Sequence, residues 1–417
     1  MYIVRYAKAA GATMLLFCCA FLPVRAAELN VVWFGWADEL VTPLMKGFEA
    51  ANPDIQLKVE RIPFAQLLQT LEVRLSARNN NPDVYMCDGS LTGSYAVRGH
   101  AADLTSTIDQ SKLTAAAKAQ GTYDGKLFSA PYASSTQLFF YNKDLFKAAG
   151  IEPPSMDPAK RWTWEKVAEV GRKLRDRQKG VYGLVIEQSD RPYQLMPLAQ
   201  SKGGVAVSPD GFKTTGYLDS KPFVDAFTFY QKMFNEWDIA PKGQFDIGLS
   251  QELFKTGKAA MFLGLTFTMD EMAKYPNVNW GVTYHPYFDG GKAVTPTGSW
   301  HLCINPRSRE LASARKLVQY FLSEDVQAKW LKLRPYPPVL TSIWGREKAY
   351  FNLNEGGWGI ARHELANTAV PRPAIVGWRE YEAVMQSAIQ DINGGADVSK
   401  RLSAAAQAID RELAKYR

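Results

Sequence analysis

Between Glu28 and Gly89 the chain alternates between two hydrophobic periods, and this alternation restricts the fold more than any other feature. LNVVWFGW reads as a strand, and residues 38–51 carry Leu40, Leu44 and Phe48 at helical spacing. Residues 55–60 alternate like a second strand. Residues 63–78 then place Leu67, Leu68, Leu71 and Leu75 on one helical face. NNNPDVYMCDG supplies a turn, a short apolar strand and a loop. A β-α-β-α-β order predicts a mostly parallel sheet with helices on both faces. In such sheets ligands bind beyond the carboxyl ends of strands. That rule singles out two loops, 34–38 and 88–92.

A second segment, residues 130–164 (APYASSTQLFFYNKDLFKAAGIEPPSMDPAKRWTW), joins a long aromatic and hydroxyl-rich strand to a helix. Asn142 is placed to cap that helix, with Asp144 in its first turn. Gly150 and Pro153-Pro154 end it, and Thr163 can cap the next. Such a strand is either ordinary core or a crossing between two domains with ligand-facing hydroxyls.

The chain has 417 residues, 46% of them hydrophobic, and no low-complexity tract or internal repeat. That is more than one hydrophobic core usually serves, so two domains are expected. Residues 1–26 read as a cleaved secretory signal: Arg5 and Lys8, an apolar run MLLFCCAFL too short to span a membrane, and small residues at 26–27. Phe17 before Cys18 argues against a lipoprotein site. Cleavage removes Arg5, Lys8 and Arg25 from a net charge of +7 and no acid with them. The mild surplus that remains, without basic runs, gives no case for a nucleic-acid partner. Cys87 and Cys303 survive, either as a disulfide in an oxidising compartment or as buried free thiols.

Farther on, VYGLVIE, AAMFLG, GVTYHPYF and GSWHLCINP read as strands. Helices are expected at 221–237, 309–321, 326–333 and in the tail 378–415, broken at Asn393-Gly394-Gly395.

Several spaced segments together resemble one family. They are FEAANPDIQLKV (48–59), NNNPDVYMCDG (79–89), YDGKLFSAPY (123–132), FYNKDLFKAAGIEPP with TWEK (140–166), LFKTGKAAMFLG (253–264), GSWHLCINPRS (298–308) and RPAIVGWREYEAVMQSAIQDINGG (372–395). Their order and spacing resemble the extracellular solute-binding proteins of sugar ABC transporters, the maltose-binding-like group. The resemblance implies an α/β chain with the type II periplasmic-binding-protein fold: two lobes, each a mostly parallel sheet flanked by helices, joined by hinge strands. Crossings are implied near 130–140, 297–304 and 333–339. One lobe would comprise 27–133 with 304–334, the other 134–303 with 335–417. It further implies a periplasmic, monomeric, non-enzymatic binder without cofactor, which closes on a sugar and docks on ABC permease subunits.

Sugar recognition needs flat aromatic faces against pyranose C–H faces, with carboxylates, amides and Arg forks for the hydroxyls. Of the two tryptophans in the first loop region, Trp33 reads as core and Trp36 as ligand candidate or core. Asp38 and Glu39 are candidates whose ordinary role would be helix N-terminal acids. Asp88 and Ser90 are hydroxyl-binding candidates; otherwise Asp88 forms the turn before Gly89. Ser134, Ser135 and Gln137 offer polar groups on the first crossing. The resemblance places cleft contacts at Thr266, Phe267, Trp300, Arg372 and Trp378, with His301 structural and Arg372 alternatively in an internal ion pair.

The four histidines lack metal-ligand spacing, and no G-x-S-x-G, G-x-x-x-x-G-K-[ST] or G-x-G-x-x-G motif occurs. Two other readings remain: a secreted glycan-active enzyme with a carboxylate pair, or the same fold with a non-sugar solute. A polyamine would need several cleft acids, and a phosphodiester more basic groups than Arg372 alone.

Overall fold

The computed structural model describes residues 26–351, 357–373 and 375–417, without the side chains of residues 64, 65 and 299. The expected signal segment thus lies almost wholly outside the described residues. Eleven strands are present among them: β1 Ala27–Phe34, β2 Ile55–Ile62, β3 Val84–Asp88, β4 Thr122–Tyr123, β5 Lys126–Leu127, β6 Ala130–Asn142, β7 Tyr182–Ile186, β8 Ala259–Leu265, β9 Trp280–Thr283, β10 Thr295–Ile304 and β11 Ala369–Pro371. β4 and β5 form a small hairpin. The others make one sheet in the order β2-β1-β3-β10-β6-β8-β7, with β11 on β10 and β9 on β6.

The amino-terminal alternation folds as its periods dictate. β1 runs parallel to β2 and β3, with the helices Asp38–Ala51 and Phe64–Ser76 between them. The crossing strands break this order: β10 lies antiparallel to β3 and to β6, and β6 antiparallel to β8 and β9, while β7 runs parallel to β8 and β11 to β10. The sheet is therefore mixed, because the strands that connect its halves run back against their neighbours.

β6 is the long strand expected at 130–141, and all thirteen of its residues are buried. It exchanges partners in mid-course. Residues 130–136 pair with β10, and residues 137–142 pair with β8 and β9. Asn142 then caps the helix Lys143–Ala148, its Oδ1 accepting from the backbone N–H groups of Asp144 and Leu145 at 3.0 and 3.1 Å. Thr163 caps Trp164–Leu174 through the N–H of Lys166.

Apolar side chains gather on either side of this crossing. Leu29, Val31, Trp33 and Phe48 pack with Leu317, Phe321 and Trp330 under the first half of the sheet. Leu184, Phe227, Tyr230 and Met261 pack with the carboxyl-terminal helices under the second. The segment 335–351, expected in the second lobe, packs on the first core instead. Val339, Leu340, Ile343, Trp344 and Phe351 all belong to it, and Leu340 bridges Leu113. Cys87 and Cys303 are free, buried thiols with Sγ atoms 2.7 Å apart on neighbouring strands.

Candidate functional site

The carboxyl end of β3 meets the crossing strands where β6 exchanges partners. Here a cavity of about 270 Å³ opens between the two halves of the molecule. Trp300 on β10 is in register with Asp88 on β3 and Ala133 on β6, so three elements deliver their side chains to one spot.

One wall is aromatic. Trp300 has its ring 4.8 Å from Phe34 and 6.3 Å from Trp36, and all three line the cavity. Trp36 is also packed on Trp330 at 4.8 Å, which fixes its plane. Tyr193, Phe267 and Tyr336 add rings from the second half and from the loop after the helix Glu324–Leu333. Rings so held present flat faces at little entropic cost.

The floor is polar. Asp88 caps the turn Gly89–Leu91, its Oδ1 accepting from the N–H and hydroxyl of Ser90 at 3.0 and 2.9 Å. The Arg372 fork lies on both its oxygens, Nη1 to Oδ2 at 2.9 Å and Nη2 to Oδ1 at 2.5 Å. Arg372 also lies 4.6 Å from the Tyr193 ring centroid. Burial alone would lower the Arg372 pKa, but Asp88, Tyr193 and Glu382 together outweigh it and the net shift is upward. Ser134 and Ser135 of β6 face the cavity beside Gly298, where an added Cβ would stand 3.2 Å from the Ser135 hydroxyl. Behind the floor, His301 shares a 2.6 Å hydrogen bond with Ser129, and burial pulls its pKa down to about 3, keeping it neutral.

Of the residues singled out from sequence, Trp36, Asp88, Ser134, Ser135, Phe267, Trp300 and Arg372 come together around this cavity. The others lie elsewhere. Asp38 is an exposed helix-start acid paired with Arg61, and Glu39 beside it is exposed. Ser90 is buried beneath Asp88. Gln137 is fully enclosed, bonding Gln194 at 2.8 Å and His285 at 3.2 Å. Thr266 is buried just past β8, with no hydrogen-bond partner for its hydroxyl. Trp378 opens the helix Trp378–Gly394 and stacks on Tyr381, 5.1 Å between centroids, in the core.

Three polar residues that sequence reasoning passed over also line the cavity: Gln188, Arg191 and Arg334. The signal for the arginines was present. The sequence has three Arg-Pro dipeptides, at 191–192, 334–335 and 372–373, and every one places its arginine here. Proline holds the preceding residue extended, as the φ/ψ values of Arg191 (−83°, 117°) and Arg334 (−145°, 114°) show. A larger opening of about 740 Å³ lies between the β4–β5 hairpin and the 203–211 loop, but Tyr123 is its single aromatic lining residue.

An aromatic-walled, Arg- and Asp-floored cavity between two sheet halves, with crossing strands at its base, is the architecture of a two-lobed binding protein. The chain belongs to the bacterial extracellular solute-binding protein family, whose pattern matches residues 36–328. A putative binding protein of Brucella abortus is 27% identical over 361 residues, covering 83% of each chain. The sn-glycerol-3-phosphate-binding periplasmic protein of Salmonella typhimurium is 26% identical over 268 residues, covering 61% of this chain and 58% of the relative. Among solved structures, a Listeria monocytogenes ABC substrate-binding protein in complex with cycloalternan superposes with a TM-score of 0.82 at 23% identity. That superposition covers 93% of this chain and 99% of the other.

Proposed function

We propose that this chain is the substrate-binding component of an ABC importer, taking up a mono- or oligosaccharide or a sugar alcohol between its lobes and delivering it to the membrane permease. The observation that carries the reading is the pairing of an aromatic wall (Trp36, Trp300, Phe34) with a fixed Asp88–Arg372 fork and two serine hydroxyls. Rings cover the apolar face of a pyranose while the polar floor fixes its hydroxyls. The Listeria structure, which is in complex with cycloalternan, supports a carbohydrate. Export to the periplasm after signal cleavage and action as a monomer complete the reading.

Closure would turn on β6 and β10, the strands shared by both halves. The lobes would divide at about 133/134 and 303/304, with residues up to 351 kept on the first lobe by their packing. Glycoside hydrolysis is disfavoured. It needs two carboxylates flanking the scissile bond, and among the described lining residues Asp88 is the sole carboxylate, already bound to Arg372.

The test is a thermal-shift screen against sugars and polyols, with recovery of the bound sugar afterwards. A ligand at a hundred times its Kd adds about 2.7 kcal/mol to stability. Recovery of unchanged sugar from a stabilised complex is expected. Turnover, or the absence of a shift with every sugar, would overturn the assignment.

A further inference from the structure

The cleft holds a guanidinium that no described residue neutralises. Arg191, Arg334 and Arg372 line the cleft, with Asp88 the one acid among the described lining residues. Asp88 is committed to Arg372 through both oxygens. Arg191 is engaged, with Glu382 at 3.8 Å and its Nε donating to Gln188 at 3.3 Å. Arg334 forms no ion pair with any described residue. Its guanidinium lies 5.8 Å from the Tyr336 ring, and its Nε is buried without a hydrogen-bond partner. The Arg372 Nε is likewise buried and unpartnered. The nearby acids are turned elsewhere: Glu187 accepts from Gln251, and Asp190 from Gln386 and Gln390.

Arg334 is half-buried, and a ligand filling the cleft would withdraw it further from water, which is costly without a counter-charge; a neutral pyranose supplies none. A carboxylate or phosphate does, in the planar two-oxygen geometry that the arginine fork matches. The prolines at 192, 335 and 373 hold the arginine backbones extended before any ligand arrives, so little ordering is lost on binding.

We propose that the cleft selects a saccharide bearing one anionic group, a uronate or a sugar phosphate. The anionic oxygens bind Arg334, with Arg191 beside it, while the ring lies on the aromatic wall. This rests on the saccharide reading above and narrows it to charged members.

Calorimetry on the ligand-free protein tests it with hexuronates, hexose 6-phosphates, their neutral parent hexoses, and acetate or inorganic phosphate alone. At least one charged sugar should bind about tenfold or more tighter than its neutral parent, a preference that falls with added salt. The uronate and phosphate arms identify which anion is read. Arg334→Gln should bring the charged-to-neutral ratio close to one, and Arg334→Lys should retain part of it. A thermal melt checks that both variants fold, and the wild-type panel decides independently if they do not. Neutral hexoses binding as tightly as their charged counterparts would overturn the inference and leave the saccharide reading standing. Free anions binding as tightly as the charged sugars would overturn it too. Failure of every sugar to bind would overturn both.

Discussion

Asp88 does two things with three hydrogen bonds and an ion pair. It closes the turn after β3 through Ser90, and it holds the Arg372 fork over the cleft. The Arg372 side chain is only 5% exposed, so its charge depends on this neighbour. Asp88→Asn keeps an acceptor but removes the countercharge. We expect the ligand-free variant to lose about 2–3 kcal/mol in urea unfolding, and an anionic ligand to restore part of that loss. An unchanged unfolding midpoint would show that water, not Asp88, balances Arg372. Trp300 makes a different contribution, since its ring offers surface rather than charge. Trp300→Ala should weaken saccharide affinity by about 1.4 kcal/mol or more, a factor of ten. A Kd within twofold of wild type would move the stacking face to Trp36 or Tyr336.

At the level of elements, buried charge also ties the second half together. Arg161, just past the turn Pro158–Lys160, bonds Glu364 on the helix Gly357–Asn367 at 2.6 and 2.9 Å, and donates to the His285 carbonyl at 2.7 Å. Glu364 in turn accepts the His285 N–H at 2.8 Å, and the pair is nearly solvent-free at 5% and 0% exposure. Breaking one side leaves an uncompensated buried charge. Glu364→Gln should therefore cost roughly 3–5 kcal/mol, while Arg161→Met with Glu364→Leu should recover much of that. Equal losses in the single and double variants, read by urea unfolding, would show that shape rather than charge holds the three segments.

Elements governed by local periodicity were legible in the sequence. β1 to β3, β6 and its Asn142 cap follow from alternation and hydrogen-bonding chemistry that neighbours along the chain decide. Placement across the chain was not. The segment 335–351 stays on the first core because Ile343, Trp344 and Phe351 find their partners there, a choice no local pattern reveals. Trp378 is drawn inward by the helical stripe it shares with Tyr381, Met385 and Ile389, which is visible in sequence once weighed as a stripe. Gln137 sits past the partner exchange in β6, where β8 covers it. The Arg-Pro dipeptides were readable, but their convergence depends on three distant loops meeting.

For the molecule as a whole, buried titratable groups outside the cleft set the response to pH, and they pull in opposite directions. Burial lowers the pKa of His100 and His285 to about 4 and of His301 to about 3, from an ordinary 6.5. Burial raises that of Glu187 from 4.5 to about 7. The histidines bind protons more readily unfolded, so the stability they give is present above pH 6.5 and is lost as pH falls towards 4 and 3. Glu187 binds its proton more readily folded, so its contribution is present below pH 4.5 and is lost as pH rises through 7. Between pH 6.5 and 4.5 three histidines oppose one carboxyl. The net loss on acidification is about two protons' worth, roughly 2.7 kcal/mol per pH unit at most. Glu187→Gln removes the opposing carboxyl while keeping an acceptor for Gln251. The variant should lose stability about one and a half times as steeply over that window and exceed wild type above pH 7.5, measured as urea midpoints across the range. A wild-type slope in Glu187→Gln would mean that this carboxyl ionises in the fold as it does in water, and that the acid response belongs to the histidines alone.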